Sequence, residues 1–442
     1  MRPILVLSLL LVSAIAQADP RVFVTLQDDG TIENHALKTQ SDLNTIHKKL
    51  LALYKATGEP IPEILSVWTT FSLGGTDVST IFDPFSNDVT GIGLQTAYPP
   101  QGVFKSSTPP LHSILFHNNV LALASRASLQ NAPLDGFANY LFLLELSHNW
   151  GPAIQVPIAP LPAGQTPTTA ELIGFSFHWS FWMDAGGSPA GGNVWTDNGD
   201  GTFTVTAADP KNMRYSMLDL YLMGLAKPAE VLPFGVLENA VPPPKVGDPL
   251  WGGPYAARSF PWFDSSTPFT VHATRRSLTI DDVVQANGAR APDADNAPKS
   301  WQLGIVLLVS QNDAPDAIAA AQQLFDPLAS ACAPAFHAAT QARGTLEVVT
   351  YDPAPATDAD AATSDADAPD AAAAEVLAAA DAGTDAEAAA AAPTAKSGCT
   401  AARAAGDPLA FGLLLVAVGV RIGQRRARTR PATARSCEHP AS

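Results

Sequence analysis

The stretch that most limits what this chain can fold into is one that cannot fold at all. Residues 356–375 read "ATDADAATSDADAPDAAAAE", and the same Ala, Asp, Thr and Pro mixture continues to Lys396. Such a composition offers too little apolar surface to offset the entropy of ordering, and its like charges repel. Residues 350–396 are therefore expected to be a disordered acidic spacer, with helix at most in its Ala-rich part. The formal charge of −16 is largely a property of this segment, through Asp358, Asp360, Asp365, Asp367, Asp370, Glu375, Asp381, Asp385 and Glu387. No basic face or aromatic-basic stripe remains elsewhere to suggest nucleic acid.

Both ends of the chain read as sorting devices. "MRPILVLSLLLVSAIAQADP" joins Arg2, an apolar run from Ile4 to Ile15 and a small-residue close at Ala16–Ala18, the pattern of a signal peptide over residues 1–18. The run is too short for a permanent membrane span. After the spacer, residues 397–442 give Ser-Gly-Cys399, a short apolar run from Leu409 to Val420, and the cluster Arg421, Arg425, Arg426, Arg428 and Arg430. An apolar run followed by arginines is the order of a stop-transfer segment. This arrangement resembles the MYXO-CTERM sorting signal of myxobacterial surface proteins. The resemblance implies processing near Cys399 by the sorting machinery of the cell envelope, membrane contact through the C-terminal segment before processing, and delivery to the cell surface.

Residues 19–349 remain as one large ectodomain or two smaller ones, with no repeat and no internal linker. Cys332 is their only cysteine, so neither a disulfide framework nor a C-x-x-C metal site is available, and any metal must be held by His and carboxylates. "RVFVTL" predicts a strand. "SDLNTIHKKLLALYKATG" predicts a helix with Ser41 as N-cap and Leu43, Ile46, Leu50 and Tyr54 on one face. "EILSVWTTF" and "LHSILFHNNVLALAS" read as strands, with "FDPFSND" as a loop between them. A helix follows, with Asp135 as N-cap, Phe137, Tyr140, Leu141 and Leu144 as its apolar face, and Gly151-Pro152 as its stop. "GFSFHWSFWMDAGGSPAGGNVW" reads as Gly- and aromatic-rich loop or edge strand, and "VWTDNGDGTFTV" as a hairpin turning at Asp197–Gly201. "YSMLDLYLMGL" gives a helix whose Ser216 and Asp219 form a capping box. Residues 315–344 read as two helices burying Phe325, Leu328, Phe336 and Ala339.

Within the second of these helices stands "LLELSHNWG", residues 143–151. Zinc proteases place H-E-x-x-H on a helix, because histidines four apart face the same way and take two of four tetrahedral positions, while the glutamate reaches the metal-bound water as general base. Glu145 and His148 keep that spacing, but Leu144 stands where the first histidine belongs. By itself E-x-x-H is equally a hydrogen-bonded pair on a core helix.

Four segments in order, "LELSHNWG", "GFSFHWS", "AGGNVW" and "YSMLDLYLMGL", resemble a family of myxobacterial and other bacterial secreted proteins with a metallopeptidase-like ectodomain, marked by H-E-L-x-H-x-W, H-W-S and Y-S-x-L-D-L-Y-L-M-G-L. The resemblance spans residues 110–345 and is strongest at Tyr215–Leu225. It implies a zincin-like α+β fold, with a mixed sheet, an active-site-type helix and a mainly helical C-terminal part. It also implies Glu145 as general base, His148 as a zinc ligand, His178 and Asp219 as candidate further ligands, and Met223 beneath the site. His112 or His117 could stand in for the missing ligand, although no spacing rule links them to it. Losing one of three protein ligands costs several kcal/mol of metal binding, so zinc is expected to be weak or absent. Three readings follow: a catalytically impaired surface protein that binds peptide or surface polymer, an active zinc metallopeptidase with a non-standard ligand set, or a structural or adhesive surface domain. An aromatic cleft around Phe177, Trp179, Trp182 and Trp195 would favour the first over the third.

Overall fold

A computed structural model describes residues 21–35, 40–73, 80–94, 97–129, 132–155, 178–241 and 269–351. The expected signal peptide, Phe177, almost all of the acidic spacer and the sorting segment with Cys399 lie outside them. The described chain combines α and β structure in two sheets.

The first sheet has the strand order β1-β10-β2-β4-β3, with β11 pairing β10. Its members are β1 (Val24–Gln27), β2 (Ile64–Thr69), β3 (Thr80–Pro84), β4 (Ser113–His117), β10 (Ser300–Val309) and β11 (Thr345–Val348). All pairings are parallel except β3 with β4, so the sheet is mixed. Side chains alternate faces along each strand, and both faces are apolar, which is why β2, β4 and β10 read as continuous hydrophobic runs. On one face Leu65, Val67, Ile114, Phe116, Val306 and Leu308 pack with Leu43, Ile46, Leu50 and Tyr54 of α1 (Gln40–Lys55). On the other, Ile64, Trp68, Leu115, Leu303 and Leu307 pack with α3 (Leu134–Ser147) and α6 (Pro315–Ala339).

The second sheet closes into a barrel in the order β5-β6-β7-β9-β8. Its strands are β5 (Trp179–Asp184), β6 (Gly191–Asp197), β7 (Thr202–Thr206), β8 (Phe234–Val241) and β9 (Phe269–Leu278). Between β7 and β8 lies α4 (Met217–Met223), stopped by left-handed Gly224 at φ 78°. The capping box of Ser216 and Asp219 and the β6–β7 hairpin form as their sequences predict. Two further helices among the described residues are α2 (Leu123–Leu129) and α5 (Ile280–Asn287).

Several expectations are corrected. Ser41 is the second residue of α1 rather than its cap. The run 111–125 is a strand only to His117, because Asn118 and Asn119 turn the chain, the Asn119 side chain accepting from the Leu121 N–H, and the rest becomes α2. "FDPFSND" opens inside β3, whose extended form comes from its pairing with β4. Pro133, not Asp135, precedes the first turn of α3; Asp135 lies in that turn and pairs with Lys211 at 2.8 Å. The Gly-aromatic segment supplies β5 and β6, two walls of a closed barrel, so it is not an edge. The expected C-terminal helix pair is one helix of 25 residues that runs through Pro327 and Pro334. Both prolines lie seven residues apart on its exposed face, opposite buried Phe325, Leu328 and Phe336, where the missing N–H bonds face solvent. The C-terminal part is mixed rather than mainly helical, since β9, β10 and β11 accompany α5 and α6. At the end of the described residues, Tyr351 exchanges backbone hydrogen bonds with Arg21, and its hydroxyl meets that of Tyr54 at 2.9 Å.

Candidate functional site

Helix α3 is buried along nearly its whole length, from Gly136 to Ser147. Its C-terminal turn faces the start of β3. Thr80 and Phe82 are two residues apart on that strand and share a face, which is turned toward α3. The Thr80 hydroxyl donates a short hydrogen bond to Glu145 Oε1, and the Phe82 ring lies 5.5 Å from that of His148. Sequence reading gave no sign of Thr80, because the contact joins residues 65 apart.

Glu145 is 5% exposed, and burial pushes its carboxyl up to about 7, opposed by the Thr80 hydrogen bond. His148 forms the C-cap of α3, and its Nε2 stands 3.2 Å from Nε2 of His178, the residue just before β5. Burial and the neighbouring His178 both hold His148 well below the usual imidazole range, against the backbone of Gly151. With His148 neutral, the two Nε2 atoms at this distance share one N–H.

The expected departure is equally plain. Leu144 is 2% exposed and belongs to the core that joins α3 to the sheet and α6. It offers no donor, and its backbone carbonyl accepts the Ser147 hydroxyl at 2.6 Å.

Asp219 is engaged through both of its carboxylate oxygens. Its Oδ1 accepts the indole N–H of Trp179 at 2.7 Å, while Oδ2 accepts both the backbone N–H and the hydroxyl of Ser216, at 2.7 and 2.6 Å. Burial raises its carboxyl, opposed first by Ser216 and then by Trp179 and Ser188. With both oxygens engaged, Asp219 ties the cap of α4 to the first residue of β5, next to His178. Tyr215 makes the companion tie, its hydroxyl donating to the Leu143 carbonyl of α3 at 2.6 Å. The "YSMLD" string thus fastens the two elements that carry His148 and His178. Removing the hydroxyl in Tyr215→Phe is expected to cost about 1–1.5 kcal/mol, read as a lowered urea midpoint at unchanged slope; an unmoved midpoint would count against the tie.

Comparison with known proteins returns nothing: no family model, no curated protein and no solved structure matches this chain. What the site can do rests on its own geometry.

The donor set does not fit a three-ligand zinc centre. Among the described residues no group of three or more His, Cys, Asp or Glu is placed to hold a metal ion. His117, the suggested substitute, faces Thr80 across the β3–β4 ladder but stacks on Trp68 with ring centroids 4.1 Å apart. Both its ring nitrogens lack a hydrogen-bond partner, and burial lowers it to about 3. A histidine neutral in the fold and protonated when unfolded weakens stability as pH falls below about 6.5. His112, the other suggested substitute, lies just before β4, where its backbone N–H donates to the Glu63 carbonyl at 2.6 Å and burial lowers its imidazole against the nearby Glu63 and Asp88. Met223 is 1% exposed and packs in the core.

The aromatic cleft is also corrected. Trp179, Trp182 and Trp195 are 0%, 6% and 3% exposed, and the last two stack at 5.5 Å. The indole of Trp179 is committed to Asp219 of α4 and Trp182 is stacked on Trp195, so the three rings are core rather than a ligand platform.

Proposed function

We propose that this chain is a surface-held, metallopeptidase-like protein of zincin type that has lost its metal site at one position and works by binding peptide or a surface polymer. One observation carries the reading: Leu144 packs in the core on the helix that brings Glu145 and His148 to the start of β3. Support comes from the rest of the arrangement. Two imidazole nitrogens sharing one tetrahedral zinc would stand about 3.3 Å apart, and the His148–His178 pair stands at 3.2 Å. Glu145 keeps a general base's place in sequence, yet its Oε1 is taken up by Thr80. With zinc weak or absent, the pair holds the start of β5 against α3, and export by the N-terminal segment with MYXO-CTERM-type processing at Cys399 would present the domain at the cell surface.

The His148–His178 separation also favours a second reading, an active zinc metallopeptidase that completes its coordination in a non-standard way. Zinc content of the purified protein, measured by plasma mass spectrometry beside Leu144→His, separates the two. No zinc in the natural chain and about one per chain in the variant is the expected result. One zinc in the natural chain would establish the second reading, and none in either would overturn the zincin assignment itself.

A further inference from the structure

The sequence contains two Asn-Gly pairs, Asn198–Gly199 and Asn287–Gly288, and the fold places them in opposite situations. In such a pair the glycine nitrogen can close on the preceding side-chain amide carbon, since no Cβ crowds the five-membered ring and the backbone turns freely. The reaction then needs a group to take the nitrogen's proton and room for the chain to bend.

Asn198 and Gly199 lie at the exposed tip of the β6–β7 hairpin. Gly199 has φ +80°, and a Cβ built on it would meet nothing within 4 Å. Its N–H donates to Oδ1 of Asp197 at 2.8 Å, so a carboxylate already sits on the proton that must leave. The departing amide nitrogen of Asn198 is held by the hydroxyls of Thr202 and Thr204, at 2.8 and 3.0 Å.

Asn287 closes α5 instead. Its amide group exchanges hydrogen bonds with the Gln155 backbone at 2.9 and 2.7 Å and donates to the Val283 carbonyl at 2.7 Å. Gly288 N–H is committed to the Val284 carbonyl at 2.9 Å, with no carboxylate bonded to it.

We propose that the Asn198–Gly199 turn is a self-modifying site, in which Asp197 acts as general base for cyclisation and deamidation of Asn198. The Gly199 nitrogen bonds to Cγ of Asn198 as its proton passes to the Asp197 carboxylate. The Cγ–Nδ2 bond breaks and ammonia leaves, its extra proton returned from Asp197 through water. Water then opens the cyclic imide at either carbonyl, giving aspartate or isoaspartate. Either product adds a carboxylate between Asp197 and Asp200. Isoaspartate also lengthens the main chain by a methylene, which breaks the Asn198 N–H to Thr202 carbonyl bond (3.0 Å) that closes the hairpin.

The test follows amide-to-acid conversion by peptide mass spectrometry, with the intact folded protein aged at neutral pH in oxygen-18 water. Conversion at Asn198 should outrun Asn287 by at least about tenfold, and Asp197→Asn, which keeps an oxygen acceptor for Gly199 but cannot take its proton, should slow it by about tenfold. Equal rates at the two positions, a slower rate in the folded protein than in the same chain unfolded in urea, or an undiminished rate in Asp197→Asn would each overturn the proposal.

Discussion

Asp219→Ala is expected to lower the unfolding free energy by about 3 kcal/mol. The helix cap contributes about 1 kcal/mol, and the stranded indole N–H of Trp179 and backbone N–H of Ser216 cost about 1–3 kcal/mol each. Against these stands the relief of no longer burying a carboxylate, whose cost shows in the raised carboxyl of Asp219. Asp219→Asn keeps an acceptor for Trp179 while losing one of the two oxygens, so it should fall between. Urea unfolding reads both, as lowered midpoints at unchanged slope. A loss under about 1 kcal/mol for the alanine variant would mean that Asp219 does not join α4 to β5 as described. Because His178 directly precedes Trp179, the imidazole nitrogen-15 shifts of His148 and His178 should move in the same variants.

Glu145→Gln should act in the opposite direction, and only above a certain pH. The Glu145 carboxyl is raised from 4.5 to about 7 in the fold, so the native state holds its proton where the unfolded chain has already released it. Stability therefore falls as pH rises from about 4.5 to about 7 and stays reduced above that. A displacement of this size corresponds to about 3 kcal/mol. Glutamine has the same shape, keeps an oxygen for the Thr80 hydroxyl and never ionises. The variant should match the natural protein at pH 4 and exceed it by about 3 kcal/mol at pH 8 and above. Equal stabilities across that range would show that Glu145 is solvated or paired in a way its surroundings do not suggest.

Local signals account for the elements that were legible in the sequence. The period of Leu43, Ile46, Leu50 and Tyr54 marks α1, Ser216 and Asp219 mark the start of α4, and glycines 199 and 201 mark the β6–β7 turn. Helix α3 was legible as a helix, but its cap was misplaced, because Asp135 satisfies Gly136 and Lys211 rather than opening the helix. The missed strand and the missed site contacts depend on distant partners. β3 is short and half-buried, and it is a strand because β4 pairs with it. β10 reads as an apolar run that could equally be a buried helix segment. At the site, E-x-x-H was visible, but the Thr80 partner of Glu145, the Trp179 partner of Asp219 and the burial of the tryptophans were not. A tryptophan in a Gly-rich stretch looks the same in sequence whether its strand closes a barrel or lines an open groove.

The strand order of the first sheet also governs when the protein can fold. β10 lies between β1 and β2 and pairs with both, at Val24–Gln27 and Ile64–Thr69, yet it occupies residues 300–309. Until that segment has been synthesised, the two earlier strands have nothing to join them, and the face that receives α3 is incomplete. Loop closure over so long a stretch comes before any reward from the contacts it allows, so folding should be slow for the size of the domain. Ribosome-bound chains shortened before residue 300 should accordingly remain protease-sensitive throughout the sheet, with resistance appearing in one step once β10 emerges.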